Sequence, residues 1–347
     1  MPEKYILKKD HLPSLLRKLR KEARLVAPVK TRQGDTLLAE IEAVDAVTLD
    51  LAGQAVTSVK SFLLPQQEVL FAYESTAAAD YAFTPAYAAR PTVYFGIRSC
   101  DLSAILYMDL VFLQVAKDPY YLLRRQAAVL ISLACNEPFD NCFCNATKNG
   151  PFLEFGFDLQ LTDLGDRFLV EIGRAKGKEL VMKWRHFFAP ATEDDRKAQY
   201  QAALEARGLF KRQVPVDLAI QKLRAGQVPA AVWADLSRRC QDCGGCAYIC
   251  PTCTCFTITD LPRTAQGGER LRTWDACTYA GFSRLAGGHN PVDKRRQGVR
   301  KRFEHKLRQD VAKHGRPSCV GCGRCVDMCF GGVDIVRFID QVCADDM

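Results

Sequence analysis

Ten of the sixteen cysteines fall in two tight runs, and no other feature restricts the chain as strongly. The first run is Cys240-x2-Cys243-x2-Cys246-x3-Cys250-Pro251, with Cys253 and Cys255 close behind. The second is Cys319-x2-Cys322-x2-Cys325-x3-Cys329. Two-residue gaps let three thiolates wrap one corner of a cubane, while the fourth cysteine points away and ligates a second one. The spacing therefore predicts two [4Fe-4S] clusters with crossed ligands. Cys240, Cys243, Cys246 and Cys329 hold one; Cys319, Cys322, Cys325 and Cys250 hold the other. Structural zinc uses pairs of CxxC ligands, not a triple run with a fourth thiol. Phe330 stands where the first run has Pro251, a departure that leaves ligation intact.

Cys246-x3-Cys250-x2-Cys253 also matches the CxxxCxxC signature of radical S-adenosylmethionine enzymes. Those enzymes need βα repeats around the motif, and two further cysteines precede it here at ferredoxin spacing. Cys253 and Cys255 are read as small hydrophobes packed beside the clusters. Cys277 and Cys343 stand apart in the sequence. A disulfide framework is not expected, because the chain reads as cytoplasmic. Its first residues are too charged for a signal peptide, and no apolar stretch approaches the length of a membrane span.

The sequence divides into two expected domains. Residues 1–228 read as a mixed α/β domain, and 229–347 as an α-helical ferredoxin-like domain carrying the two CxxCxxCxxxC runs, an α+β whole. The boundary is placed where Gly226 and Pro229 interrupt a helical pattern. Sixty-eight residues separate Cys250 from Cys319, too many for a minimal ferredoxin, and "GVRKRFEHKLRQDVAKHG" within them is helical in pattern. Upstream, "DHLPSLLRKLRKEARL" reads as a helix capped by Asp10. Alternating residues from Val26 to Tyr73 suggest strands. "TVYFGIRSC", "DLSAILYMDLVFL" and "AAVLISLAC" read as strand, helix and strand, a βαβ unit with Asp101 capping the helix. "FDLQLTDLGDRFLVEIG" reads as a hairpin, and helices are expected from about Glu193 to Arg224.

Cys100 and Cys135 each end one of the two expected parallel strands. Ligands gather at that end of such a sheet. Cys142 and Cys144 lie on the loop "NEPFDNCFCNA", and the helix start near Asp101 would favour thiolates there. These four cysteines are expected to hold a third [4Fe-4S] cluster. One buried structural cysteine with unrelated loop thiols, or a four-cysteine zinc site, are the other readings.

The formal charge of +8 invites a nucleic-acid reading. Each oxidised cubane with four thiolates carries about −2, which offsets much of that excess. Ten Lys or Arg lie between Lys294 and Arg316. They read as a solvated helix face, or as charge compensation for clusters or an acidic partner. No aromatic platform accompanies them, so nucleic acid is not expected. His289 and Asn290 in "GGHNP" read as turn residues, and His305 as surface or core. No acid–base pair, nucleophile triad or dinucleotide loop is recognisable, so no catalytic residue, flavin or NAD(P) site is expected on this chain.

"GIRSCDLSAI", "CNEPFDNCFC", "FDLQLTDLGDRFLVEIG", "CGGCAYICPTCTCF", "GGHNP" and the second cysteine run occur in that order. Over about Phe62 to Val336, the chain resembles the beta subunits of cytoplasmic sulfhydrogenases and the corresponding iron–sulfur subunits of anaerobic sulfite reductases. The resemblance implies an electron relay. Its partners would be a catalytic redox subunit, of hydrogenase or sulfite reductase type, and a flavin-containing, NAD(P)H-oxidising subunit. The alternative is a stand-alone iron–sulfur redox enzyme with its site in the first half.

Overall fold

The structure is a computed structural model that describes residues 3–77, 80–114 and 116–344. The chain starts with β1 (Lys4–Lys8) and α1 (Leu12–Glu22). Leu12, Leu15, Leu16 and Leu19 form one buried stripe on α1. Asp10 lies in a 3₁₀ turn ahead of the helix, and His11 occupies the cap position without a side-chain hydrogen bond, so the expected Asp10 cap is not formed. β2 (Arg24–Lys30) and β3 (Thr36–Glu40) follow as an antiparallel pair. After the single turn α2 (Lys60–Leu63) come β4 (Gln67–Ala77) and β5 (Asp80–Pro85).

The expected βαβ unit is present with one more helix than the sequence pattern suggests. β6 (Thr92–Arg98) leads into α3 (Ser99–Leu113), then α4 (Pro119–Ala127) and β7 (Ala128–Leu133). β6 and β7 pair in parallel from Thr92↔Ala128 to Arg98↔Leu133. Every residue of β6 is buried, as expected for a strand with both faces covered. Gly96, at φ +69°, shifts the register between Phe95 and Ile97. A side chain here would have to adopt a left-handed conformation that L residues avoid. α3 begins at Ser99, so Asp101 is inside the first turn and not its cap.

β8 (Leu159–Asp163) and β9 (Arg167–Ile172) form the expected hairpin, turning through Gly165. Beyond α5 (Ala175–Lys183), β10 (Phe188–Pro190) closes an eight-stranded sheet in the order β10-β1-β9-β8-β7-β6-β2-β3. Its centre, β2-β6-β7-β8, is parallel. α1 covers one face, with Val93, Phe95 and Ile131 beneath it. α3 and Tyr121 of α4 cover the other, over Tyr94, Ile97 and Leu130.

α6 (Glu193–Gly208) opens on a capping box of Thr192 and Asp195. α7 (Val216–Arg224), α8 (Ala230–Arg239), α10 (Arg295–Glu304) and α13 (Ile335–Cys343) enclose a second core. Phe303 stacks on Phe338 at 4.4 Å, and Trp233 packs against both, 5.1 Å from Phe338 and 6.4 Å from Phe303. Val216, Ala219, Ile220 and Leu223 of α7 belong to this core, so packing crosses the segment between residues 224 and 229. The short helices α9 (Gly245–Tyr248), α11 (Asp310–His314) and α12 (Arg324–Met328) complete the helical part.

Residues 229–347 are not wholly helical. β11 (Phe256–Pro262) and β12 (Gly267–Trp274) form a hairpin that pairs with β4, giving a second sheet in the order β11-β12-β4-β5. Arg272 of β12 anchors it, its Nε donating to Glu68 at 2.8 Å while the guanidinium also pairs with Asp118, the cap of α4. No helix among the described residues is long and apolar enough to cross a membrane.

Candidate iron–sulfur centre

Each ferredoxin-type run folds the same way. A loop carries the first two cysteines, a glycine in left-handed conformation follows, and a short helix carries the third. Gly244 (φ 69°) precedes α9 with Cys246, and Gly323 (φ 75°) precedes α12 with Cys325. The fourth cysteine lies just past the helix, where the chain turns away. The repeat in the sequence is thus a repeat in space, and α9 packs against α12.

Two neighbouring cavities result. The first is lined by Cys240, Cys243, Cys246 and Cys329. The second is lined by Cys319, Cys322, Cys325 and Cys250, and also by Cys246. Three cysteines of each run and the fourth of the other thus face one space. The first cavity reaches the surface, where Cys243 is exposed and Phe330 is 96% exposed. The second is deeper, and Phe143 and Ile335 help to close it.

Buried cations surround these thiols. Lys60, Arg302 and Lys306 are only 1%, 4% and 5% exposed, and none has a carboxylate partner among the described residues. The Lys60 ammonium donates to the carbonyls of Ala247, Tyr248 and Cys253 at 3.1–3.2 Å and lies 3.8 Å from the Trp274 ring centre. Burial pushes its pKa down, against the pull of Cys253 and Cys250. Lys306 donates to Cys250 Sγ at 3.4 Å and to Thr252 Oγ1 at 3.1 Å. Burial works against its charge as well, but Cys250, Cys253 and Cys319 outweigh it and hold the pKa well above the ordinary lysine value. Buried charges are tolerated only when paired. Here the available anions are sulfurs, so this environment fits groups with net negative charge.

The third cysteine set also meets. Cys100 sits in the first turn of α3, two residues past β6, and Cys135 lies two residues past β7. Cys142 and Cys144 come from the loop packed against the second run. Phe143 N donates to Gly321 O at 2.9 Å. Gly321 has φ +65°, and a Cβ there would sit 2.6 Å from the Cys144 backbone, so only glycine permits this approach. Cys100 packs with Ala104, Val320 and Cys322. All four thiols are buried. Burial raises Cys142 to about 11, with Cys135 the next contributor. Cys100 and Cys144 rise well above the ordinary thiol value, again chiefly through burial. Gln54 Nε2 lies 3.9 Å from Cys142 Sγ and 2.7 Å from Cys322 O, spanning the third set and the second cavity.

Asp101, expected to cap α3, instead takes Arg324 of α12 in a two-pronged pair at 3.0 and 2.7 Å. Arg324 Nε also donates to Ala55 O at 2.8 Å. The pair bolts the third thiol set onto the second run. Among the described residues, no three His, Cys, Asp or Glu side chains converge closely enough to share a single metal ion. A cubane makes a different demand, since each thiolate binds its own iron and the four sulfurs stand apart.

Cys277, which the sequence leaves isolated, faces Cys255. Hydrogen bonding from the Cys277 thiol, over the opposing effect of burial, brings Cys255 down to about 7. The β11–β12 ladder makes this meeting, since Asp275 N donates to Cys255 O at 2.9 Å. Cys253 lies against Cys250, and its thiol is the main influence holding Cys250 low. Cys343 is buried in the helical core. His289 is in a loop, where its carbonyl accepts Leu285 N, and Asn290 bonds the same loop. The basic run splits: Arg295, Arg296, Arg300 and Arg308 are exposed, whereas Arg302 and Lys306 point inward. The signal for this was present, because Val299, Phe303 and Leu307 mark the buried stripe on which Arg302 and Lys306 fall.

Residues 239–333, which include both runs, match the 4Fe-4S dicluster domain. The whole chain is 28% identical to sulfhydrogenase 2 subunit beta of Pyrococcus furiosus over 336 residues, 97% of each chain. The chain is a homologue of that sulfhydrogenase beta subunit. The dicluster match implies iron–sulfur clusters in this homologue, and the thiol-lined cavities with their unpaired cations fit them. The likeness to the beta subunit extends far beyond the dicluster match, across the residues of the third thiol set and the α/β sheet.

Proposed function

We propose that the chain is the iron–sulfur electron-transfer subunit of a hydrogenase-type multisubunit oxidoreductase. It relays electrons between a flavin-containing partner that oxidises NAD(P)H and a catalytic subunit. The observation that carries the reading is the crossed lining of the two cavities: Cys329 joins Cys240, Cys243 and Cys246 in the first, and Cys250, with Cys246, joins Cys319, Cys322 and Cys325 in the second. Cys240, Cys243, Cys246 and Cys329 would hold the first [4Fe-4S] cluster, and Cys319, Cys322, Cys325 and Cys250 the second. Cys100, Cys135, Cys142 and Cys144 would hold a third. When bound, such clusters supply one-electron redox chemistry. The protein's part is to place them. The exposed Cys243 gives the first seat an opening to a partner, the buried shell excludes water from the second, and the 142–144 loop presses the third set against the second.

The name of the Pyrococcus relative favours a hydrogenase-type partner over a sulfite reductase. The division proposed after residue 228 leaves the eight-stranded sheet on one side and the dicluster match on the other, while the β12–β4 pairing and the Asp101–Arg324 pair support the two parts working as one unit. No flavin or nicotinamide site is proposed on this chain, and its location is proposed to be cytoplasmic.

The test uses the anaerobically reconstituted full chain. NADH or NADPH alone should leave its visible iron–sulfur absorption unchanged, and an added NAD(P)H-oxidising flavoprotein should bleach it. Rapid bleaching without a flavoprotein would contradict the relay reading and favour a self-contained redox enzyme.

A further inference from the structure

Arg302 lines both cavities, in the wall between them. It is almost wholly buried, and its Nη1 donates to Val333 O at 2.6 Å. Its Nε is buried without a partner. No carboxylate balances it among the described residues. The anions within reach are Cys246 of the first seat and Cys325 and Cys250 of the second, together with Cys253. Lys306 differs in one respect: it lines the second cavity only.

We infer that Arg302 is a counter-ion shared by both clusters that raises both reduction potentials, while Lys306 raises the second alone. The inference rests on the reading that these cavities hold [4Fe-4S] clusters. Reduction adds one electron to a cluster, with no bond made or broken. The added charge interacts with a fixed cation more favourably than the oxidised cluster does, and low-dielectric surroundings enlarge the difference. Cluster potentials respond to net charge, hydrogen bonds to sulfur and solvent exposure. A cation between two seats has a second effect. It offsets the repulsion that an electron on one cluster exerts on the next, so both can be reduced within a narrow potential range. Arg302 touches no reacting substrate and acts as a tuning residue.

The experiment is an anaerobic redox titration of the reconstituted full chain, followed by electron paramagnetic resonance. Dithionite is the reductant, and iron per chain is measured first. Arg302→Met should keep its iron and weaken one-electron reduction of both dicluster signals at least tenfold, which is about 59 mV each. Arg302→Lys should stay near wild type, because it keeps the charge. Lys306→Gln should lower only the signal that Cys250→Ala perturbs. If Arg302→Met does not assemble, Arg302→Gln is compared with Arg302→Lys in the same way, and the Lys306→Gln result must remain confined to one signal. Unshifted potentials in iron-loaded Arg302→Met or Arg302→Gln would overturn the inference, as would a Lys306→Gln shift of both signals or neither. A wild-type chain that takes up no iron overturns instead the cluster reading beneath it.

Discussion

Asp101 and Arg324 lie 223 positions apart and meet with both side chains buried. The two-pronged contact makes each tolerable there only because the other is present. Removing one partner of a buried pair typically costs about 3–5 kcal/mol, since the remaining charge is stranded. Asp101→Ala should therefore lower the unfolding free energy by roughly that amount, measured by urea titration under anaerobic conditions. A cost below about 1 kcal/mol would show that Arg324 relaxes to another partner or to water. At this scale the cysteine crossing also becomes testable. Cys250→Ala should damage the cluster associated with Cys319, Cys322 and Cys325 while leaving the signal associated with Cys240, Cys243 and Cys246. The opposite pattern would refute crossed ligation. Residue-level roles were only partly legible in the sequence. The ferredoxin spacing is local and could be read directly. Asp101 has the position of a helix cap, and only a guanidinium brought from the far end of the chain gives it another role.

Among the elements, those with short-range signals were legible: the β6–α3–β7 crossover, the β8–β9 hairpin and the helices after Glu193. α6 illustrates why. Thr192 and Asp195 satisfy each other's backbone donors within three residues, so the helix start is written locally. Thr192→Ala should cost about 1 kcal/mol in chemical denaturation and leave iron content unchanged. A loss of iron would mean that the α6 start supports the cluster seats. β11 and β12 were not legible. The strand that β12 pairs with, β4, lies almost two hundred residues earlier, and the alternation in "FTITDLP" is short and sits beside a cysteine cluster that dominates the reading. Cys277 went unread with them, since only the β11–β12 ladder brings it back to Cys255.

At the scale of the molecule, three sets of thiols form a continuous series. The first cavity opens at the surface beside Phe330, the second lies behind it with Cys246 and Arg302 in the shared wall, and the third set presses on Cys322 and Val320. The third set stands at the end of the parallel strands β6 and β7, where an open sheet presents ligands. Its loop cysteines should act together. Cys142→Ser should remove about four irons per chain and spare both dicluster signals, since one cubane holds four. Loss of the dicluster signals too would show that the 142–144 loop supports the second seat mechanically. Sequence spacing alone left this site open between a cluster, a zinc ion and unrelated thiols, because its four cysteines come from two strand ends and a loop with no fixed register. The measurement that tests the whole account most directly is iron and acid-labile sulfide per chain in the anaerobically loaded protein. Three cubanes require about twelve of each. A fully loaded chain that stops near eight irons, with zinc or no other metal at the third set, would contradict it.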